Sequence, residues 1–457
     1  MPTVAQTTDP NPQRRASDVD NESRSVPATT RTPGEASPRR RRQPRARKRR
    51  DRILLFSRAF APDPFDAGLR AADVAEALAR RGYRVRVYTA NAPRDRHWSA
   101  EAALPAGVEV RRLPLTRALG TGGLARWVGF GSFVVQSLLR GLFLPNVAGV
   151  IVGASPPLVG AVATVLRMFR GMPVVYWATD LSPDYLVDEG AVVRGSMMDR
   201  VLHSIDRTIL QNAALVIAAD RYMAERLYDR GRLDDKLVVI PPWPTGDAGA
   251  AAPSVTADSF RRERGIAAND LLLVHCGNQE PLSAMQTFME AVQKLLDRDG
   301  LRFAFVAEAQ RAESLRGWFS ARGLDNVICI ARQAGNPLLR VLASADVVCI
   351  STPSGLVGVR HPPDAYAAWA LARPVVAVAP TCSPVGELLE RFEAGIRVDE
   401  DDVAGLVRAV EALASMSPDQ RAAIGERGRQ QIAERFSRPA LCGRFCDGLE
   451  LALEKRT

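Results

Sequence analysis

Ile53-Leu-Leu-Phe-Ser57, Ala71-Ala-Asp-Val-Ala-Glu-Ala-Leu-Ala-Arg-Arg81 and Arg84-Val-Arg-Val-Tyr-Thr89 follow one another just after a long basic opening. A short apolar run, a longer amphipathic one and a second short apolar run predict strand, helix and strand, with Gly82 where a helix C-cap belongs. Parallel strands need such a crossover, so the pattern points to a parallel sheet covered by helices. The same rhythm continues at Gly149–Gly153, Pro173–Thr179, Leu215–Ala219 and Leu237–Pro241. It stops between Pro241 and Arg261, in a Pro-Pro-Trp-Pro stretch followed by small and polar residues, which marks a linker. It restarts at Leu271–Cys276, Arg302–Ala307, Asn326–Ile330, Asp346–Ser351 and Pro374–Ala379.

The expected fold class is therefore α/β, with two Rossmann-like, doubly wound parallel-sheet domains in series facing a cleft. The boundaries read as an Arg-rich tail over 1–50, a first domain over 51–243, a linker over 244–262, a second domain over 263–435, and a C-terminal helix over 436–457 that packs back on the first domain. In open sheets of this kind, ligands bind beyond the carboxyl ends of the strands, where strand order reverses. Function is to be sought in the loops that follow strands.

The 457 residues carry a formal charge of +10. Residues 1–50 hold thirteen Arg or Lys against five Asp or Glu, so +8 of that charge lies in the tail and about +2 in everything after it. A basic balance confined to a tail does not mark the folded part as nucleic-acid binding, and no aromatic residues are interleaved with the basic ones to stack on bases. Nucleic acid is not an expected partner. The tail, rich in Pro, Ser, Thr and Arg and poor in large apolar side chains, reads as disordered. Its run from Arg39 to Arg50 has the chemistry to meet an anionic membrane surface, or serves only as a solubilising segment.

Leu124–Leu144, with Val147–Met168, is the most apolar part of the chain. Arg126 and Arg140 bracket too few apolar residues for a span. Such a helix either lies in a membrane interface, edged by Arg126, Arg140, Arg167 and Arg170, or packs inside the first domain. No apolar core of a secretory leader is found, since Ile53–Ala61 is interrupted by Arg58 and reads as a strand. Cys276, Cys329, Cys349 and Cys382 lie in or beside apolar runs, as buried free thiols do, and Cys442 and Cys446 stand four apart on a predicted helix with no histidine near. The expectation is a reducing compartment and no metal. The location expected is cytoplasmic, peripheral on the inner face of the cell membrane.

Several segments carry a resemblance. Ala61-Pro-Asp-Pro-Phe-Asp-Ala-Gly-Leu-Arg70, Ala154-Ser-Pro-Pro-Leu158 and Asp180-Leu-Ser-Pro-Asp184 in the first half, and His275-Cys-Gly-Asn278, Ala343-Ser-Ala-Asp346, Pro362-Pro-Asp-Ala-Tyr366 and Ala372-Arg-Pro-Val-Val376 in the second, resemble the GT-B glycosyltransferases of family 4, especially those building bacterial exopolysaccharide and O-antigen units. The resemblance implies a nucleotide-sugar donor held by the second domain and a lipid-linked or saccharide acceptor entering from the first. It implies acceptor-binding roles for Asp66, Gly68, Arg70 and Ser155, the first three in a loop before the first helix. It implies donor-binding roles for Gly277, Asn278, Tyr366 and Glu387. No cofactor or metal is implied.

The chain departs from that family at its donor side. After Gly277-Asn278 it reads Gln279-Glu280-Pro281-Leu282 where a second glycine and basic residues are usual, and Pro362-Pro363-Asp364 replaces Pro-Ser-Lys. Ala367 stands for a ribose-gripping Glu, Ala372 for a Gly, and Glu308-Ala309-Gln310 for a glycine pair. A diphosphate gains negative charge as it leaves, and preorganised cations usually stabilise it. Arg360 and His361, just before the altered motif, are the candidates to supply that charge. Asp180 and Asp184 follow a predicted strand and are candidates to orient or deprotonate an acceptor hydroxyl. Two functions follow: an active transferase in cell-surface polysaccharide synthesis, or a catalytically silent GT-B protein serving an assembly enzyme as partner or scaffold.

Overall fold

The computed structural model describes residues 52–61, 66–90, 107–114, 123–153, 159–188, 190–233, 235–245, 257–276, 282–295, 298–324, 327–331 and 337–455. The expectations for the tail over 1–50 and for Ser155, Gly277 and Asn278 lie outside these residues.

The first domain runs β1 (Arg52–Phe56), α1 (Asp66–Arg80), β2 (Arg84–Ala90), β3 (Val108–Leu113), α2 (Gly123–Phe143), β4 (Val147–Gly153), α3 (Val159–Arg170), β5 (Val174–Ala178), α4 (Ser182–Asp188), α5 (Met197–Asn212), β6 (Leu215–Ala218), α6 (Arg221–Tyr228) and β7 (Leu237–Val239). The second runs α7 (Ala257–Glu263), β8 (Leu271–Cys276), α8 (Leu282–Leu295), β9 (Leu301–Ala307), α9 (Ala309–Ser320), β10 (Ile328–Ala331), α10 (Pro337–Ser344), β11 (Val347–Ser351), α11 (Asp364–Ala370), β12 (Val375–Val378), α12 (Pro384–Phe392), β13 (Gly395–Val398), α13 (Val403–Ser415) and α14 (Pro418–Arg435). A last helix, α15 (Arg438–Glu454), follows.

Both sheets are wholly parallel, in the orders β3-β2-β1-β4-β5-β6-β7 and β10-β9-β8-β11-β12-β13. Order reverses between β1 and β4 in the first sheet and between β8 and β11 in the second, which sets two ligand crevices at the carboxyl ends of those strands. The central strands are mostly apolar because helices cover both faces, and β5, β8 and β11 are buried at every position.

One apolar core joins the two sheets. Trp243, at the end of β7's exit, stacks on Trp177 with ring centroids 6.2 Å apart, and Phe445 of α15 meets Trp177 edge-on at 4.9 Å. Tyr366 and Trp369 of α11 belong to the same core. Each such fully buried aromatic contributes roughly 1.5–3 kcal/mol by leaving water. The indole of Trp243 donates to Asp73 Oδ2 at 2.8 Å, and burial is the largest influence on that carboxyl, raising its pKa.

The last helix packs on α1. Arg438 pairs with Asp73 and Glu76 at 3.0 Å each, and Arg81 pairs with Asp447 at 2.7 Å and Glu450 at 3.0 Å. A Cβ on Gly149 of β4 would stand 2.8 Å from Leu453 Cδ2, so the glycine lets α15 close on the sheet.

Two local expectations, for the start of α1 and for Cys382, are corrected. Helix α1 begins at Asp66, five residues before Ala71, so Asp66, Gly68 and Arg70 occupy its first turns and not a loop. Cys382 is exposed in the loop before α12, not buried beside β12. Helix α2 is both packed and bare: Phe130 and Phe133 are buried while Val128, Val135, Leu139 and Phe143 face outward. Among the described residues no helix is long and apolar enough to cross a membrane.

Candidate active site

The loops after β5, β6, β11 and β12 meet where the two sheets face each other. After β5, Asp180 forms an isolated antiparallel bridge with Arg360, and the Leu181 N–H donates to the Val359 carbonyl at 2.8 Å. The chain between β11 and α11 is thus stitched to the first domain by backbone bonds, which do not depend on side-chain identity. Ser182 Oγ donates to Asp180 Oδ1 at 3.1 Å. The Arg360 guanidinium lies over the Tyr185 ring at 5.4 Å, and among the described residues no carboxylate pairs with it.

His361 takes a different place. It is buried, with Nδ1 2.7 Å from Asp220 Oδ2 and Nε2 3.0 Å from the Tyr366 hydroxyl. Asp220 caps α6 through its other oxygen, which accepts from the Met223 N–H at 2.8 Å. An ionised carboxylate only accepts, so the imidazole donates from Nδ1 and a neutral ring then accepts at Nε2 from Tyr366. Burial raises the Tyr366 phenol well above the usual tyrosine range, which keeps it protonated to donate. His361 is therefore a link between the tip of α6 and α11, with both ring nitrogens engaged.

The tip of α6 makes two further contacts. Gly358 has φ +72°, and a Cβ there would stand 2.6 Å from the Tyr222 carbonyl oxygen, so only glycine lets these backbones meet. Tyr222 donates its hydroxyl to Glu387 Oε1 at 2.8 Å, and Arg221 forms an ion pair with the same oxygen. Glu387, in the first turn of α12, is thus held from the first domain.

Asp184 faces inward along α4. It is ion-paired with Arg230, whose other nitrogen reaches Asp206 Oδ2 at 2.6 Å, and Tyr176 donates to Asp206 Oδ1 at 3.3 Å. His203 Nε2 lies 3.9 Å from Asp184. Coulombic attraction of the two carboxylates outweighs burial and raises the Arg230 pKa, although burial is the largest single influence and acts in the opposite sense.

Asp66 accepts from Thr245 Oγ1 at 3.0 Å, and the buried Arg70 donates to the Trp243 carbonyl at 3.3 Å. A Cβ on Gly68 would stand 2.9 Å from the Phe60 nitrogen, so this glycine lets α1 press on the loop after β1. Asp66 and Arg70 thus gather round the segment that leaves β7. The structure thus brings Asp180, Arg360, His361, Tyr366 and Glu387 to one seam, with Asp184 set behind it and Asp66 and Arg70 at the domain crossing.

Asp220, Arg221, Tyr222 and Gly358 belong to the seam and escape sequence reasoning. The available signal was Ala219-Asp220 directly after an apolar run, an N-cap at a strand-to-helix turn. At the carboxyl end of β11, beside the second crevice, the buried Thr352 hydroxyl has no hydrogen-bond partner among the described residues. Among those residues no three His, Cys, Asp or Glu side chains gather as metal ligands.

Residues 67–243 match the family model described as Glycosyl transferase 4-like domain, and residues 270–416 match that of Glycosyl transferases group 1. With two parallel-sheet domains facing one seam, the chain belongs to the GT-B glycosyltransferases of the family 4 type. Among individual proteins, it is 23% identical over 377 residues to Escherichia coli (strain K12) WcaI, named as a colanic acid biosynthesis glycosyl transferase, covering 79% of this chain and 91% of that protein. It is 25% identical over 410 residues to the D-inositol 3-phosphate glycosyltransferase of Saccharomonospora viridis, covering 82% and 87%. Sucrose-phosphate synthase from Thermosynechococcus elongatus superposes with a TM-score of 0.69 at 18% identity, covering 89% of this chain and all of that one. Anabaena HepE, solved with UDP and glucose, gives 0.64 at 18% identity, covering 87% and 99%.

Proposed function

We propose that the chain transfers a sugar from a nucleotide-diphosphate donor to a lipid-linked or saccharide acceptor, in cell-surface polysaccharide synthesis at the inner face of the cell membrane. The donor sits at the carboxyl ends of β8 and β11. Arg360 carries this reading: it is a cation at the seam, and no carboxylate among the described residues neutralises it. As the diphosphate leaves, negative charge builds on its oxygens, and a guanidinium held ready for that charge lowers the barrier. Asp180, bridged to Arg360 through the backbone, orients the acceptor hydroxyl and takes its proton. The names of WcaI and of the HepE complex support the polysaccharide role and a uridine nucleotide as the first donor to try.

The competing reading is a catalytically silent partner of an assembly enzyme. Glu387 favours it, because the carboxylate that the resemblance assigns to the donor is already bound by Arg221 and Tyr222.

Calorimetric titration of the full chain with a panel of nucleoside diphosphates and their sugars separates the two. Transfer predicts binding of at least one member, weakened about tenfold or more by Arg360→Ala, as for a lost charge-assisted bond of roughly 1.5–3 kcal/mol. No binding across the panel by the folded chain would establish the silent partner instead.

A further inference from the structure

Between β11 and α11 the chain leaves the second sheet and plugs into the first domain. Leu356 and Val359 are buried in the apolar core that Val152, Ala178 and Leu181 help to form, and Gly358 turns the backbone between them at φ +72°. The Arg360 N–H donates to the Leu356 carbonyl at 3.0 Å, so the segment closes on itself, and the bridge to Asp180 ties it to the start of α4. The backbone of Arg360 is thus anchored in the first domain, although the strand and helix on either side of it belong to the second.

Fixing a backbone does not fix a guanidinium, since an arginine side chain has more rotamer freedom to lose than almost any other. What holds this one is the Tyr185 ring of α4, whose centroid lies 5.4 Å from the Arg360 carbon, within the reach of a cation–π contact. A carboxylate would hold the group as well, but it would neutralise the charge and occupy the N–H fork. An aromatic face attracts the cation and leaves the fork available to an anion. Among the described residues the Arg360 side chain makes no hydrogen bond or ion pair. The ring is itself held in place: Tyr185 is half-buried against the core of the first domain, and its N–H donates to the Leu181 carbonyl at 3.0 Å. Its neighbours Pro183 and Leu186 are buried, and Asp184 is ion-paired with Arg230.

We propose that Tyr185 is a positioning residue for the transfer: its ring holds the Arg360 guanidinium, charged and with its N–H fork free, where the diphosphate of the donor binds. The inference rests on the donor reading of Arg360. It adds that the cation serving the donor is set in place by the first domain, so the diphosphate is fully held only while the seam is closed.

Calorimetric titration of the full chain with the panel of nucleoside diphosphates and their sugars tests it, on the parent, Tyr185→Leu, Arg360→Ala and the double variant. Tyr185→Leu keeps an apolar side chain for the core but offers no ring face, and is expected to bind nucleotide about threefold to tenfold more weakly. The conservative variant Tyr185→Phe, which restores a ring, is expected to recover the affinity of the parent. In the Arg360→Ala background Tyr185→Leu is expected to cost nothing further, because a residue that acts through another has no effect once the other is gone. A merely structural loss would persist there. Phenylglyoxal gives a reading without nucleotide: Arg360, followed by peptide mass, is expected to be modified about threefold or more faster in Tyr185→Leu than in the parent, as the guanidinium is released from the ring. Nucleotide binding that Tyr185→Leu leaves unchanged, a full loss repeated in the Arg360→Ala background, or equal modification rates in Tyr185→Leu and the parent would overturn the positioning role and leave the donor reading standing. A folded parent chain that binds no member of the panel refutes the donor reading itself.

Discussion

His275 makes the stability of the second domain depend on pH. The ring is buried in β8, with Phe288 edge-on at 4.7 Å and Phe305 at 5.4 Å. Nε2 meets Ser351 Oγ at 3.0 Å, while Nδ1 has no partner among the described residues. With no acid to pair with among the described residues, the imidazolium is penalised by burial, which lowers the pKa from 6.5 to about 3. The unfolded chain accepts a proton that the native chain refuses. Stability is therefore complete above about pH 6.5 and is lost as pH falls from there toward 3. At about pH 5 the unfolded state is favoured through this residue by about 2 kcal/mol, since each pH unit inside the window is worth about 1.4 kcal/mol. Urea unfolding of the full chain, followed by tryptophan fluorescence near pH 7.5 and near pH 5, measures the loss. His275→Gln keeps a polar partner for Ser351 and cannot titrate, so its loss over the same interval should be about 2 kcal/mol smaller. The other titrating groups are common to both chains and cancel in that difference. Equal losses in the two chains would refute the burial argument.

Ala372 occupies the left-handed region at φ +54°, at the position where the family resemblance leads one to expect glycine. Ala372→Gly should raise stability by about 1 kcal/mol in the same denaturation assay, with nucleotide binding unchanged. Arg230→Met removes the cation between Asp184 and Asp206 and should cost about 3–5 kcal/mol at neutral pH, with part of the loss recovered in acid as the orphaned carboxylates protonate. Gly358→Ala drives a Cβ against the Tyr222 carbonyl in a backbone conformation that suits glycine, and should open the seam. Faster limited proteolysis near residues 357–361, at about 1–3 kcal/mol lower stability, would register it.

How much of this could be read beforehand follows from where each residue's partners lie. The central strands β1, β4, β5, β8 and β11 are mostly apolar because both faces are covered, and their runs are plain in the sequence. The outer strands β3 and β13 do not stand out in the sequence. Val108–Leu113 carries Glu109, Arg111 and Arg112 because one side meets water, and Gly395–Val398 is short and half-buried. The sequence pattern puts the start of α1 too late because its large apolar residues begin inside the helix, whereas Asp66 and Arg70 bind the segment after β7 through Thr245 and Trp243. Candidate residues were legible as types in the right loops. Their partners were not, since Glu387 with Arg221, His361 with Asp220 and Asp184 with Arg230 join residues far apart in sequence or on separate helices. No local spacing encodes such pairs.

The return of α15 onto α1 bears on how the two halves can move. The polypeptide passes from the first sheet to the second after Trp243 and comes back between Arg435 and Arg438. Two bodies joined by a single strand can swivel about any axis through the joint. Joined by two strands, they are restrained to turn about the line through both crossings, like a door on a pair of pins. Arg438, held by Asp73 and Glu76, and Trp243, held by Asp73 from the other crossing, bring both pins to the same carboxylate. One carboxylate thus ties both crossings, so that loss of Asp73 would loosen the two together.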